Sequence, residues 1–182
     1  MTGTSEIPSA DELVGALDAL DVPFLMGGVQ NETALALSPA ALLQGLASAP
    51  EARMRSALIP LLLRHPELAK EAQVASTRLT GQPRDTLELF YTAALLLQRK
   101  YAARLARLFG AQAALPDLYS QALHIDLTDN VEASLARVGA RHAELRGLNM
   151  NWVGGYEHAV RTWLALVELR AERRKQHVWQ TT

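Results

Sequence analysis

Between Asp85 and Gly110 lie 24 residues without glycine or proline, and this stretch constrains the fold more than any other. Asp85 followed by Glu88 has the spacing of a capping box, and Gly110 suits a helix C-terminus. Leu87, Phe90, Tyr91, Ala94, Leu97, Tyr101, Leu105 and Leu108 recur at helical spacing and form one apolar stripe. Leu89 and Leu96 lie on the opposite side, so the first half is apolar nearly all round. Such a helix is wrapped by neighbours on several faces. The second half is amphipathic, with Lys100 and Arg107 opposite the stripe. The spacing therefore predicts a central helix over 85–109, buried at its start and reaching the surface at its end.

A central helix needs partners, and the rest of the chain supplies helices. A chain of 182 residues can form one domain with a sizeable core. Residues 1–8 read as a disordered N-terminus. Ser9 with Glu12 predicts a capped helix to about Leu20. Residues 22–31 break the pattern and predict a buried loop, or a turn made possible by Gly27 and Gly28. Ser38-Pro39 is a cap followed by a first-position proline, predicting a helix to about Ser48. A helix from about Pro50 to Arg64 contains Pro60, which should kink or split it. His65-Pro66 starts another, to about Thr77, and Thr80 to Pro83 read as the loop before the central helix. Leu115-Pro116-Asp117 predicts a short helix to Leu123. Asp129 with Glu132 caps a helix ending before Gly147. The last long helix is expected over about Asn151 to Lys175, with a frayed tail over 177–182. The expected fold is all-α: one domain over 9–176, a bundle of seven to nine helices packed around 85–109.

Composition removes several function classes. Cysteine is absent, which excludes disulfides, thiol catalysis and cysteine metal sites, and fits a cytoplasmic protein. No basic-then-apolar leader opens the chain, and no apolar run approaches the roughly 18 residues of a membrane span. The net charge is −1, unevenly spread: residues 1–60 carry seven acids and two bases, residues 61–182 twelve acids and sixteen bases. No Walker motif, dinucleotide fingerprint, serine elbow or paired-carboxylate constellation is present, and no cofactor is expected. His124 and Asp126 lie close in sequence, but not at a spacing diagnostic of zinc, so no metal site is assigned.

Three surfaces remain as candidates. The first is the start of the last helix, where Trp152 and Tyr156 fall on the same face as Trp163, in a chain only 5% aromatic. Trp and Tyr dominate binding hot spots because they bury a large area while keeping a polar handle. Trp163 is expected in the core, and Trp152 or Tyr156 in a partner groove rimmed by Asn149 and Asn151. Gly154 and Gly155 would let a partner backbone approach. The second is the run Arg170, Arg173, Arg174 and Lys175 with Trp179, a basic patch with an aromatic that can hold phosphates and stack a base. The ordinary account of that run is cations completing a helix C-terminus. The third is Arg137 with His142. This Arg-x4-His spacing resembles the signature of the HEPN nucleases, small helical domains in which such residues act together on RNA phosphates. That resemblance implies a histidine for proton transfer and an arginine for phosphorane charge. His142 continues the stripe Val131, Leu135, Val138, Leu145, where a histidine is more often structural.

Leu89-Phe-Tyr-Thr-Ala-Ala-Leu-Leu-Leu-Gln-Arg99, Leu115-Pro-Asp-Leu-Tyr119 and Asn151-Trp-Val-Gly-Gly-Tyr-Glu157 together resemble an uncharacterised family of bacterial all-helical proteins. The resemblance covers about residues 38–176. It implies genes of nucleotidyltransferase type as neighbours, an arrangement typical of toxin–antitoxin pairs, and carries no catalytic residue. The leading expectation is a non-catalytic interaction or regulatory protein that binds another protein, antitoxin-like if the resemblance holds. Nucleic-acid binding and HEPN-type cleavage are the alternatives.

Overall fold

The structure is a computed structural model. It describes residues 8–24 and 37–180, with the side chains of all of these except Lys175 and residues 177–180. Among them every regular element is helical. In chain order these are α1 (Ala10–Ala19), α2 (Pro39–Ser48), α3 (Ala52–Ser56), α4 (Leu58–Arg64), a 3-10 turn (Pro66–Leu68), α5 (Ala69–Arg78), α6 (Gly81–Lys100), α7 (Ala102–Phe109), α8 (Val131–Arg146) and α9 (Trp152–Gln180).

Local signals set several of these boundaries. The Ser9 side chain accepts from the Glu12 N–H while Glu12 reaches back to the Ser9 N–H, a complete capping box. Ser38 caps α2, with Pro39 at its first position. The predicted helix through Pro60 is divided at Ala57, so that Pro60 falls in the first turn of α4, where its missing N–H costs nothing. Val22 and Pro23 are buried without strand structure; Gly27 and Gly28 lie outside the described residues.

The central helix differs from its expected limits in an informative way. It begins at Gly81, not Asp85, because Pro83 is tolerated in a first turn. Glu88 makes no capping box. Its buried carboxylate accepts from Ser76 Oγ at 2.6 Å and Arg84 Nε at 2.8 Å. All twelve residues from Thr86 to Leu97 are buried, as an apolar surround demands. α6 packs against α2, α4, α5, α8 and α9. It kinks at Tyr101, and α7 continues with only Leu105 fully buried.

Two further expectations are corrected. Residues 111–130 form no helix. Leu115, Tyr119, Leu123 and Ile125 are buried, but α6 holds the segment. The Leu115 N–H donates to the Gln98 side chain at 2.8 Å, and the Tyr91 hydroxyl donates to the Pro116 carbonyl at 3.0 Å. The cap of α8 is Asn130, whose side chain accepts from the Ala133 N–H, rather than Asp129. The helix of α9 continues past Lys175 to Gln180, through part of the expected tail.

One buried cluster joins α1 to α9, from Leu13 to Leu164. Outside it, charges clamp α9 to α6 and α7. Lys100 Nζ lies 2.5 Å from Glu157 and 2.6 Å from Glu132. Tyr101 donates to Glu157 at 2.6 Å, and Arg104 grips Glu168 with two nitrogens at 2.9 and 2.7 Å. Burial works against the Glu157 anion, but Lys100 and Tyr101 outweigh it and hold its carboxyl below the usual range. Arg161 Nε donates to the Glu157 backbone carbonyl at 3.4 Å.

Candidate functional site

His142, Asn149, Asn151, Trp152 and Tyr156, five of the sequence candidates, lie at one end of the bundle, where α8 stops and α9 starts. Gly147 ends α8 at φ 62°, a left-handed conformation that suits glycine. The following turn satisfies much of its own backbone. Leu148 N–H donates to Ala143 O, Met150 N–H to Leu148 O, and Trp152 N–H to Met150 O. Asn151 accepts from the Gly154 N–H at 2.9 Å and so opens α9. This turn presents Leu148 and Met150 to solvent at 51% and 58% exposure, with Asn149 exposed between them.

Beneath the turn sits an aromatic cluster built on His142. The Trp152 ring stacks on the imidazole at 3.5 Å and 16°. The Tyr156 hydroxyl lies 2.5 Å from His142 Nδ1. Phe90 meets both His142 and Tyr156 edge-on, at 5.6 and 5.4 Å. His142 and Tyr156 are fully buried. Burial pushes the His142 pKa down to about 3, and the charges of Arg146 and Arg55 push the same way. The imidazole is therefore neutral at pH 7. Burial likewise raises the Tyr156 hydroxyl.

This geometry sorts the candidate residues. Tyr156 is core, and Trp152 is half-buried, tied to His142 by stacking. Asn151 is a cap. Gly154 lies against the Asn151 side chain, which would meet an added Cβ at 2.8 Å, so its bareness serves the cap. Gly155 is exposed and open. Trp163 is buried and stacks on Phe109 at 5.5 Å. Five residues around α8 separate Arg137 from His142 by about 140°, so the two point apart. Arg137 is exposed and donates to the Asp126 carbonyl at 2.7 Å, whereas His142 faces the core. The pair shares no site, and a buried neutral histidine is poorly placed for proton transfer to RNA. Arg170, Arg173 and Arg174 are exposed on α9, with Arg174 3.9 Å from Asp21. The side chains of Lys175 and Trp179 lie outside the described set. Among the described residues no three His, Asp or Glu side chains gather as a metal site.

Arg55 and Arg146 carry no motif, yet the fold brings them together beside this cluster. They line one pocket of about 350 Å3 with Ser48, Pro50, Gln82 and Thr86. No sequence signal links two arginines on separate helices; only the tertiary structure brings them to one pocket. Compared with family models, curated proteins and solved structures, the chain matches none.

Proposed function

We propose that this is a non-catalytic protein that binds another protein chain through the turn between α8 and α9. The observation that carries the reading is the pair Leu148 and Met150. Two large apolar side chains stand about half-exposed or more on a hydrogen-bonded turn, over a rigid aromatic support. Preorganised apolar residues bind without a large ordering cost, and Asn149 adds polar contacts at the rim. The absence of a shared site for Arg137 and His142 favours binding over cleavage. The family resemblance makes a nucleotidyltransferase-type protein the first partner to assay, in an antitoxin-like pairing.

The test is Leu148→Glu with Met150→Glu, because neither residue supports the core. Capture of a partner enriched by the wild-type chain should be lost, with the melting temperature unchanged within about 2 °C, a shift below roughly a kcal/mol. Retained capture would move the interface elsewhere. Trp152→Ala is a weaker probe, since it also removes the stack on His142. The exposed Arg170, Arg173 and Arg174 support a second reading, nucleic-acid binding through α9. A gel shift that weakens steeply with salt and is lost on charge removal there would favour it.

A further inference from the structure

The pocket between Arg55 and Arg146 has no part in the partner reading and does not rest on it. Arg55 projects from α3 and is pinned at one corner: its Nη1 donates to the carbonyls of Ala49 at 2.7 Å and Pro50 at 2.6 Å. Arg146 comes from the last turn of α8. Its Nη1 donates to Gln82 Oε1 at 2.9 Å and its Nη2 to Thr86 Oγ1 at 3.0 Å. Each guanidinium carries five N–H donors, so both keep donors beyond these anchors. All the anchors are neutral. Among the described residues neither arginine forms an ion pair, although nine other pairs exist.

Two cations placed this way are uncomfortable. Burial lowers the Arg55 pKa, the charge of Arg146 lowers it further, and the charge of Glu51 opposes this with the smallest effect of the three. The fold nevertheless holds both in place. The pocket is also walled by the start of α6, through Gln82, Pro83 and Thr86. Thr80, the cap of this 20-residue helix, makes no side-chain capping bond. Gln82, Pro83 and Thr86 turn one flank of the first turns of α6 toward the arginines.

We propose that this pocket binds a phosphoryl group, carried by a small phosphorylated molecule. A dianion neutralises the two cations, and its oxygens accept from the unused guanidinium N–H groups. Because the guanidiniums are already pinned, binding loses little side-chain freedom. A volume of about 350 Å3 lies within the range of small-ligand sites and leaves room for more than the phosphate itself.

The experiment is thermal unfolding of the full chain in sodium phosphate, with sodium chloride and sodium acetate at matched ionic strength. Wild type should show a saturable rise in melting temperature in phosphate only, since a ligand that binds the folded state stabilises it by mass action. Arg55→Gln and Arg146→Gln, each measured against its own phosphate-free baseline, should weaken the apparent affinity roughly tenfold or more, the scale of lost hydrogen bonds to a charged group. Ser48→Glu is the companion variant should either arginine change prevent folding. It keeps both arginines and places a carboxylate on the pocket wall, and it should abolish the phosphate response. An equal rise in chloride or acetate, or no rise, overturns the proposal. So does an undiminished phosphate response in the arginine variants or in Ser48→Glu.

Discussion

Moved from water into the seam between α8 and α9, His142 loses the solvation that stabilises an imidazolium, and two arginines repel that charge further. The consequence is a pH dependence of known sign. The folded pKa, about 3, lies below the ordinary 6.5, so the unfolded chain binds the extra proton first. Stability contributed by this residue is complete above pH 6.5 and is lost as the pH falls towards 3. Between pH 7 and 5 the loss should be about 2 kcal/mol in urea unfolding, and His142→Gln should remove that slope. The window is clear of Glu157 and Glu168, whose lowered pKa values act below the ordinary 4.5. A His142→Gln protein with the full wild-type slope would show that some other group carries it. The stripe position of His142 was legible as buried or grooved. Its partners Trp152 and Tyr156 were legible as an aromatic face, but their closure onto His142 was not. A stack between two helices leaves no periodicity in either.

Helix α8 meets α9 at Gly139, and the approach is close. A Cβ there would lie 2.8 Å from Val153 Cγ2 and 3.5 Å from the Val153 backbone nitrogen. Val153 is β-branched and sits one residue into α9, so it has few other rotamers. Gly139→Ala should therefore destabilise by roughly 1–3 kcal/mol through overpacking, despite the better helix propensity of alanine. Val153→Ala in the same chain should recover part of that loss, and a double-mutant cycle measures the coupling. Additive effects would mean that the helices simply move apart. The ends of the elements divide by range. Ser9 with Glu12 and Ser38-Pro39 act within four residues, and both marked their helices correctly. The segment after Leu115 contains a proline and a capping aspartate, yet makes only hydrogen-bonded turns over Tyr119–Ile125 and no helix. The Leu115 N–H and the Pro116 carbonyl at its start bond Gln98 and Tyr91 on α6, and Leu115, Tyr119, Leu123 and Ile125 are buried in the core.

The whole bundle shares one core, which makes its stability cooperative. Leu97 is fully buried on α6 within that cluster. Leu97→Ala should cost roughly 2–5 kcal/mol, the range for a buried leucine replaced by a cavity. Helix content and tryptophan fluorescence should shift together, as expected for a two-state domain. A loss under about 1 kcal/mol, or a shift in one probe alone, would make α6 peripheral to part of the fold. The clamps from Lys100 to Glu157 and from Arg104 to Glu168 fasten α9 on the outside of this core. They are partly exposed pairs, so they orient the helix more than they stabilise it.

Periodicity, caps and prolines by themselves determined that this chain is all-α, that the helix carrying Leu87 to Leu97 is buried at the centre, and where most helices start. These are local properties, set by side-chain spacing and by hydrogen bonds within a turn. Tertiary structure alone decided that Glu88 bonds Ser76 in place of a capping box, and that Glu157 bonds Lys100 and Tyr101. It also decided that Arg55 and Arg146 line one pocket. Each of these is a choice among long-range partners, made when the helices pack and water is expelled. Desolvation then fixes which polar groups must pair, and no spacing along the chain records that outcome.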